Sequence, residues 1–223
     1  MNRIAGLYVG GITMLEPEGQ PTGIYKQAAT SPLQLSREGF SGDVQADRRA
    51  HGGPEKAVHH YAAGNYRHLA DRFPSTASAL VPGSLGENIS NSAWDETSVC
   101  IGDIFRLGKA VVQVSQPRSP CWKINHKFGE PAMSQFIAEQ GITGWYYRVL
   151  EEGRVAPDDV FELLEQPSPM VTLLRLWRAR LAHRPDIEEL TVLISAAGLT
   201  PGWVDRLSER RNWLLQNSPP PNT

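Results

Sequence analysis

The chain has 223 residues, 40% hydrophobic, 8% aromatic and 21% charged, with a formal net charge of −2. This is enough apolar material for a core without disulfides or a partner, and it excludes disorder across the whole chain. The near-neutral balance lacks the basic excess of a nucleic-acid binder, and no run approaches the ~18 apolar residues of a membrane span.

Short strand patterns are predicted at residues 3–9, 33–36 and 57–61. A helix is predicted at 65–73, where Tyr66, Leu69, Ala70 and Phe73 share one face. Residues 104–107 and 110–115 read as a hairpin turning at Gly108-Lys109. A helix follows at 131–140, with Pro131 in the first turn and Gly141 as its stop. Strands at 145–150 and 160–164 close this part. Many short strands between Gly and Pro turns predict a mainly β barrel or sandwich. Composition changes at Gln166-Pro167-Ser168-Pro169, and three helices are predicted beyond it. The first spans 171–182. The second runs from Asp186, a capping residue with Glu189 three positions on, to about Ala197. The third starts at Thr200-Pro201. The tail, 216–223, is expected to be disordered.

Two cysteines, Cys100 and Cys121, do not make a disulfide scaffold. The N-terminus MNRIAGLYVGGI has no secretory pattern, so a cytoplasmic protein with free thiols is expected. Cys121 lies in VQVSQPRSPCWK. Pro117 and Pro120 stiffen the loop, and Arg118 and Lys123 flank the thiol. Neighbouring cations favour thiolate, the form that attacks as a nucleophile or ligates a metal. Read more plainly, Cys121 is a buried structural thiol with two surface cations. Cys100 has apolar neighbours and reads as core.

A second group comprises GFSGD at 39–43, Asp47, and HGGPEKAVHHY at 51–61. The Gly52 and Gly53 amides can approach an anion, with Lys56 supplying charge. Alone, HGG reads as a tight turn with a surface lysine. Neither a Walker loop nor a dinucleotide fingerprint is present. His51, His59 and His60 raise the question of zinc, but structural zinc spacing and H-E-x-x-H are both absent. In a strand His59 and His60 point to opposite faces, so at most one joins a given site. After a Pro-Gly-Ser turn, Glu87 and Asn88 could orient a histidine or bind a polar ligand; a plain turn is the other reading.

In their order, GxxGD, Asp47, HGGPEKAVHHY, GEN and GDIFRLGKAVVQVSQPRSPCWK resemble the MOSC domain family, named for the C-terminal domain of molybdenum-cofactor sulfurases. The closer resemblance is to its stand-alone bacterial branch, the reductases of N-hydroxylated bases such as 6-N-hydroxylaminopurine. It covers nearly the whole chain, with 1–165 as the β-rich domain and 170–215 as an appended three-helix domain. The resemblance implies a MOSC-like β-barrel with a few helices, a molybdenum–pyranopterin cofactor and Cys121 as metal ligand. Lys56, Arg118 and the Gly52-Gly53 amides suit the cofactor phosphate. Asn88, Ser115, Ser119 and Asn125 suit the pterin or an oxo group. His51, His59 or His60 would give the proton that N–O cleavage needs. With no flavin or nicotinamide fingerprint and too few cysteines for an iron–sulfur cluster, electrons would come from a separate reductase. Two rivals use the same thiol: a non-catalytic cofactor or sulfur carrier, and a cysteine hydrolase or transferase with a histidine base. A homodimer stays open.

Overall fold

The computed structural model describes residues 3–217. Most of the predicted tail, from residue 218 on, lies outside them. Strand β1 (Gly6–Val9) leads into a small hairpin, β2 (Thr13–Leu15) and β3 (Gln20–Thr22), then β4 (Gln27–Ala28), β5 (Leu33–Ser36) and β6 (Gly39–Phe40). The short helix α1 (Arg48–His51) precedes β7 (Val58–Ala62) and α2 (Asn65–Arg72). Next come β8 (Ile89–Asn91), β9 (Ile104–Leu107), β10 (Ala110–Pro117), α3 (Trp122–Phe128) and α4 (Met133–Gln140). The remaining elements are β11 (Trp145–Glu151), β12 (Gly153–Val155), β13 (Phe161–Glu165), α5 (Leu173–Leu181), α6 (Ile187–Ile194) and α7 (Pro201–Asn217).

Eight strands form one curled sheet in the order β13-β9-β10-β11-β7-β8-β1-β4. Its two sides approach each other through a bridge between Arg3 and Val160 and a bond from the Ile4 amide to the Asp159 carbonyl, 3.1 Å. The mainly β, barrel-like form expected from the sequence is the one observed. The predicted hairpin is β9–β10, with Ala110 opposite Leu107. β10 runs on to Pro117 and shifts register against β11 twice, between Val111 and Val112 and between Val114 and Gln116. Such bulges bend a strand and re-aim its side chains.

Inside the curl Phe105 and Phe161 stack with ring centroids 4.5 Å apart, beside Trp145 and Tyr147. His60, one of the three histidines proposed as proton donor, belongs to this core. It stacks on Trp145 at 4.2 Å, and its Nδ1 lies 3.0 Å from the Tyr147 hydroxyl. Burial pushes His60 down to about 3, so it packs as a neutral ring.

Among the described residues the helices after residue 170 add no strand to the sheet, and Thr172 before α5 makes an isolated bridge with Cys100. Thr172 caps α5, accepting from the Arg175 amide at 3.1 Å. Asp186 caps α6 as its spacing predicts, accepting from the Glu188 and Glu189 amides. α6 ends at Ile194, short of the expected 197, and α7 extends to Asn217, into the stretch read as tail. Leu176, Trp177, Leu193 and Trp203 share one buried cluster with Ile101, Val112 and Val114 of the barrel.

At this junction Asp103 is fully buried. Its Oδ2 accepts from the Cys100 amide (2.8 Å) and from Gln166 Nε2 (3.2 Å). Burial pushes its carboxyl up to about 6. Between the usual carboxylate range and about 6, the unfolded chain has lost this proton while the folded chain keeps it. Asp103 therefore removes stability as pH rises through that window. Asp103→Asn should equal wild type near pH 4 and exceed it at pH 7.5 by about 1–2 kcal/mol. Urea unfolding at both pH values checks this; an unchanged difference would reject it.

Candidate functional site

Adjacent strands of the sheet bring Tyr146, His59 and Asn88 to one cleft. Gln116 pairs with Tyr146, Tyr146 pairs with His59, and the Asn88 amide donates to the His59 carbonyl at 2.8 Å. The period of two sends Trp145, Tyr147 and His60 into the barrel. Tyr146 and His59 line the cleft instead, with ring centroids 5.3 Å apart. Its walls include Lys26, Asp43, Asp47, His51, Lys56, Asn88, Arg118, Cys121 and Lys123. The Cys121 loop and the HGG region, distant in sequence, meet here.

Cys121 is half-buried and is the residue before α3, with no capping bond from its side chain. It and Cys100 are both free thiols, and Cys100 lies in the buried core. Lys123, on the first turn of α3, donates to the Pro21 carbonyl at 2.5 Å and so ties the β2–β3 hairpin to this helix.

Arg118 is buried and held by its amide, which donates to the Gly144 carbonyl at 2.9 Å. Its charge acts on the nearby Tyr146 hydroxyl, while its buried Nη1 has no protein partner. The same hydroxyl is 3.1 Å from His51 Nδ1. Burial, then the charges of Arg118, Lys56 and Lys123, push His51 down to about 4. Burial and Arg118 hold His59 well below the histidine range, and its buried Nε2 is also unpartnered. Both rings are thus neutral near pH 7.

An ion pair not anticipated from the sequence lies in the same wall. Lys26 and Asp43 are both buried and bonded to each other; Asp43 also accepts from the Gly10 amide (3.0 Å) and Asn88 Nδ2 (2.9 Å). Burial lowers Lys26 and Asp43 opposes that shift. Asp43 stood in the GFSGD motif without a role, whereas Lys26 carries no local signal. Tyr146 also went unnoticed. Strand alternation opposite His59 was the signal that would have found it.

His51, Lys56, His59, Asn88, Arg118 and Cys121 are thus brought together. Other candidates are not. Ser115 is buried, its hydroxyl between the carbonyls of Glu55 (2.6 Å) and Tyr146 (3.1 Å). Asn125 donates to the Pro131 carbonyl and accepts from the Ser134 amide, both at 2.7 Å, bracing α3 against α4. Ser119 is exposed and accepts from Arg180. Gly52 packs on Arg48, and Gly53 forms the turn at φ 85°; neither lines the cleft. Asn88 lines it but is already spent, with Nδ2 on Asp43 and the Tyr8 carbonyl and Oδ1 on the His59 amide. Glu87 is buried and satisfied by Tyr66 and the Gly83 and Leu85 amides.

The arrangement suits an anionic group bearing a soft metal. Among the described residues no cluster of three or more His, Cys, Asp or Glu could hold a metal ion. Cys121 is the soft donor in the cleft wall, and a metal held there would take its other donors from the incoming group. The unpartnered Arg118 Nη1 fits an anionic atom of such a group.

The MOSC domain profile matches residues 47–162. Protein YiiM of Escherichia coli is 38% identical over 206 residues, 92% of this chain and 91% of its own. Its crystal structure superposes with a TM-score of 0.78, covering 95% of this chain and 93% of that one. The uncharacterized protein YflK of Bacillus subtilis is 39% identical over 214 residues, 95% of this chain and 96% of its own. A protein of Gibberella moniliformis named Reductase is 37% identical over 168 residues, 75% of this chain but 30% of its own. No helix among the described residues is long and apolar enough to cross a membrane.

Proposed function

The chain belongs to the MOSC domain family, and on that premise we propose that it reduces N-hydroxylated bases, such as 6-N-hydroxylaminopurine, to the amines, using a molybdenum–pyranopterin cofactor and electrons from a separate reductase. The balance is R–NHOH + 2e⁻ + 2H⁺ → R–NH₂ + H₂O. The observation that carries this reading is the half-buried Cys121 thiol in a cleft walled by Arg118, Lys56 and Lys123. The name of the fungal relative supports the redox class, although this chain spans less than a third of that protein.

Cys121 is assigned as the thiolate ligand, a soft donor matched to a metal in a sulfur-rich sphere. Arg118, Lys56 and Lys123 hold the anionic parts of the cofactor. When bound, the cofactor supplies the two-electron couple. The chain's own contribution to the chemistry is the proton. Tyr146 is the donor facing the cleft, and His51, with Nδ1 3.1 Å behind its hydroxyl, passes on each of the two protons by giving its Nδ1 hydrogen as its Nε2 takes one from solvent. A histidine held down to about 4 is neutral and can relay a proton without adding charge beside Arg118. His59 lines the cleft without such a partner chain, and His60 faces the barrel core.

Tyr146→Phe should lower kcat about 10²-fold with a near-constant KM and unchanged molybdenum content. Steady-state assays with an artificial donor measure this, and an unchanged kcat removes Tyr146 from the relay. The reductase reading is tested by elemental analysis and assay of protein made in a host competent for cofactor synthesis. Molybdenum in roughly equimolar amount and conversion of 6-N-hydroxylaminopurine to adenine are expected. Folded protein that lacks molybdenum and carries labile sulfur on Cys121 would overturn it in favour of a carrier.

A further inference from the structure

One arginine from the C-terminal helices reaches the loop that carries Cys121, and a second shares its aromatic support. Arg180 of α5 has its Nη1 3.4 Å from the Ser119 hydroxyl. Ser119 is exposed and two residues from Cys121, so their Cα atoms are within about 7 Å. The Arg180 guanidinium lies over two buried indoles, 5.0 Å from the Trp177 centroid and 5.2 Å from that of Trp203. Arg206 of α7 lies over the same Trp203 ring at 5.9 Å, its Nε fixed on the Gly202 carbonyl at 2.7 Å. One ring thus holds two guanidinium groups at close range.

The start of α7 is also fastened beside Lys56. The Ser115 hydroxyl donates to the carbonyl of Glu55, and the Ser115 carbonyl accepts from the Thr200 amide at 3.3 Å. Arg206 in turn adds to the burial that lowers both Lys56 and Arg180. Among the described residues neither Arg180 nor Arg206 is ion-paired with a carboxylate. Lys56 is offset by Asp47, whereas Arg180 and Arg206 bring two like charges together over Trp203 beside the Cys121 loop. Their repulsion opposes folding, and an anion relieves it.

We propose that Arg180 and Arg206, with the Ser119 hydroxyl, form an anion site that takes the phosphate of a nucleotide, so that the N-hydroxylated base is bound as its nucleoside monophosphate. Guanidinium forks match phosphate oxygens, and the indole faces hold the Arg180 fork ready. A phosphate at Ser119 stays within a pentose's reach of Cys121, leaving the base to enter the cleft. The neutral free base gains nothing from the rim. This substrate class rests on the reductase reading, whereas the anion site is tested without turnover.

The test is calorimetric binding of adenosine monophosphate and adenosine, the amine products, to molybdenum-loaded protein. The proteins compared are wild type, Arg206→Gln, Arg180→Gln and Arg180→Lys. Wild type should prefer the monophosphate at least about tenfold. Each Gln variant should lose about tenfold in monophosphate affinity only, and Arg180→Lys should recover part of it. Arg206 is exposed, so its variant keeps the test valid if Arg180→Gln unfolds. No monophosphate preference in wild type overturns the proposal. Molybdenum loss in the folded variants also overturns it, assigning these arginines to the cofactor's own phosphate. So does unchanged nucleotide binding with slower reduction by a protein donor only, which assigns them to an acidic protein surface. A preference for the monophosphate in a protein that reduces nothing keeps the anion site and sinks the reductase. Reduction of free bases without phosphate preference does the reverse.

Discussion

Cys121→Ser should remove reduction of 6-N-hydroxylaminopurine by at least about 10³-fold, about 4 kcal/mol of barrier, and leave the fold intact. The exchange is close to isosteric at a half-buried position. Cys121 precedes α3 and makes no capping bond, whereas serine is among the preferred residues there. Thermal stability should therefore hold or rise slightly. A hydroxyl is a hard donor that stays protonated, a poor replacement for thiolate on molybdenum. Cys100→Ser is the control. Its thiol donates to the Pro169 carbonyl at 3.4 Å, and a hydroxyl can use the same acceptor. The cost should stay near 1 kcal/mol, with activity kept. Full activity in folded Cys121→Ser would remove the ligand assignment. Equal losses of folded protein in both variants would return Cys121 to a packing role.

Gly102→Ala should destabilise the whole protein by about 3 kcal/mol or more. Gly102 sits at φ 84°, where only glycine is unstrained. A methyl group there would lie 2.0 Å from the Ala197 carbonyl oxygen, and a methyl on Gly198 would lie 2.8 Å from Gly102 Cα. The two backbones thus touch where the turn before β9 meets the connection from α6 to α7. Both contact atoms are main chain, so neither side yields by a rotamer change. Urea unfolding followed by near-ultraviolet dichroism should show α5–α7 loosening from the barrel, since Trp177 and Trp203 belong to the buried cluster these helices share with it. Gly64→Ala is the matched control. Its φ is −62° and nothing lies within 4 Å of the added carbon, so the effect should be within about 0.5 kcal/mol. Equal midpoints for the two variants would refute the close-approach account.

Local pattern was enough for much of this protein. The turn at Gly108-Lys109 between two alternating runs made β9–β10 legible. Asp186 with Glu189 made the start of α6 legible, and alternation alone separated His59 from His60. Cys121, Arg118 and Lys56 stood in motifs whose residue types carry their chemistry. Each of these signals lives within a few residues, where backbone period, capping and turn geometry act. Other features depend on which strands become neighbours. Lys26 meets Asp43 only through folding. Tyr146 enters the cleft because it pairs with His59 across two strands far apart in the chain. Ser115 and Asn125 looked available for a ligand, yet their polar atoms are taken by the carbonyls of Glu55 and Tyr146 and by the α3–α4 turn. Arg180 and Arg206 carry no local signal, and the packing of α5 and α7 on the barrel sets one of them against Ser119 and both over Trp203. A sequence records which groups exist and their local spacing. Which of them remain unsatisfied and face one cleft is decided by sheet order, the bulges of β10 and helix docking, because hydrogen-bond partners and charges act through space at ranges the chain order does not encode.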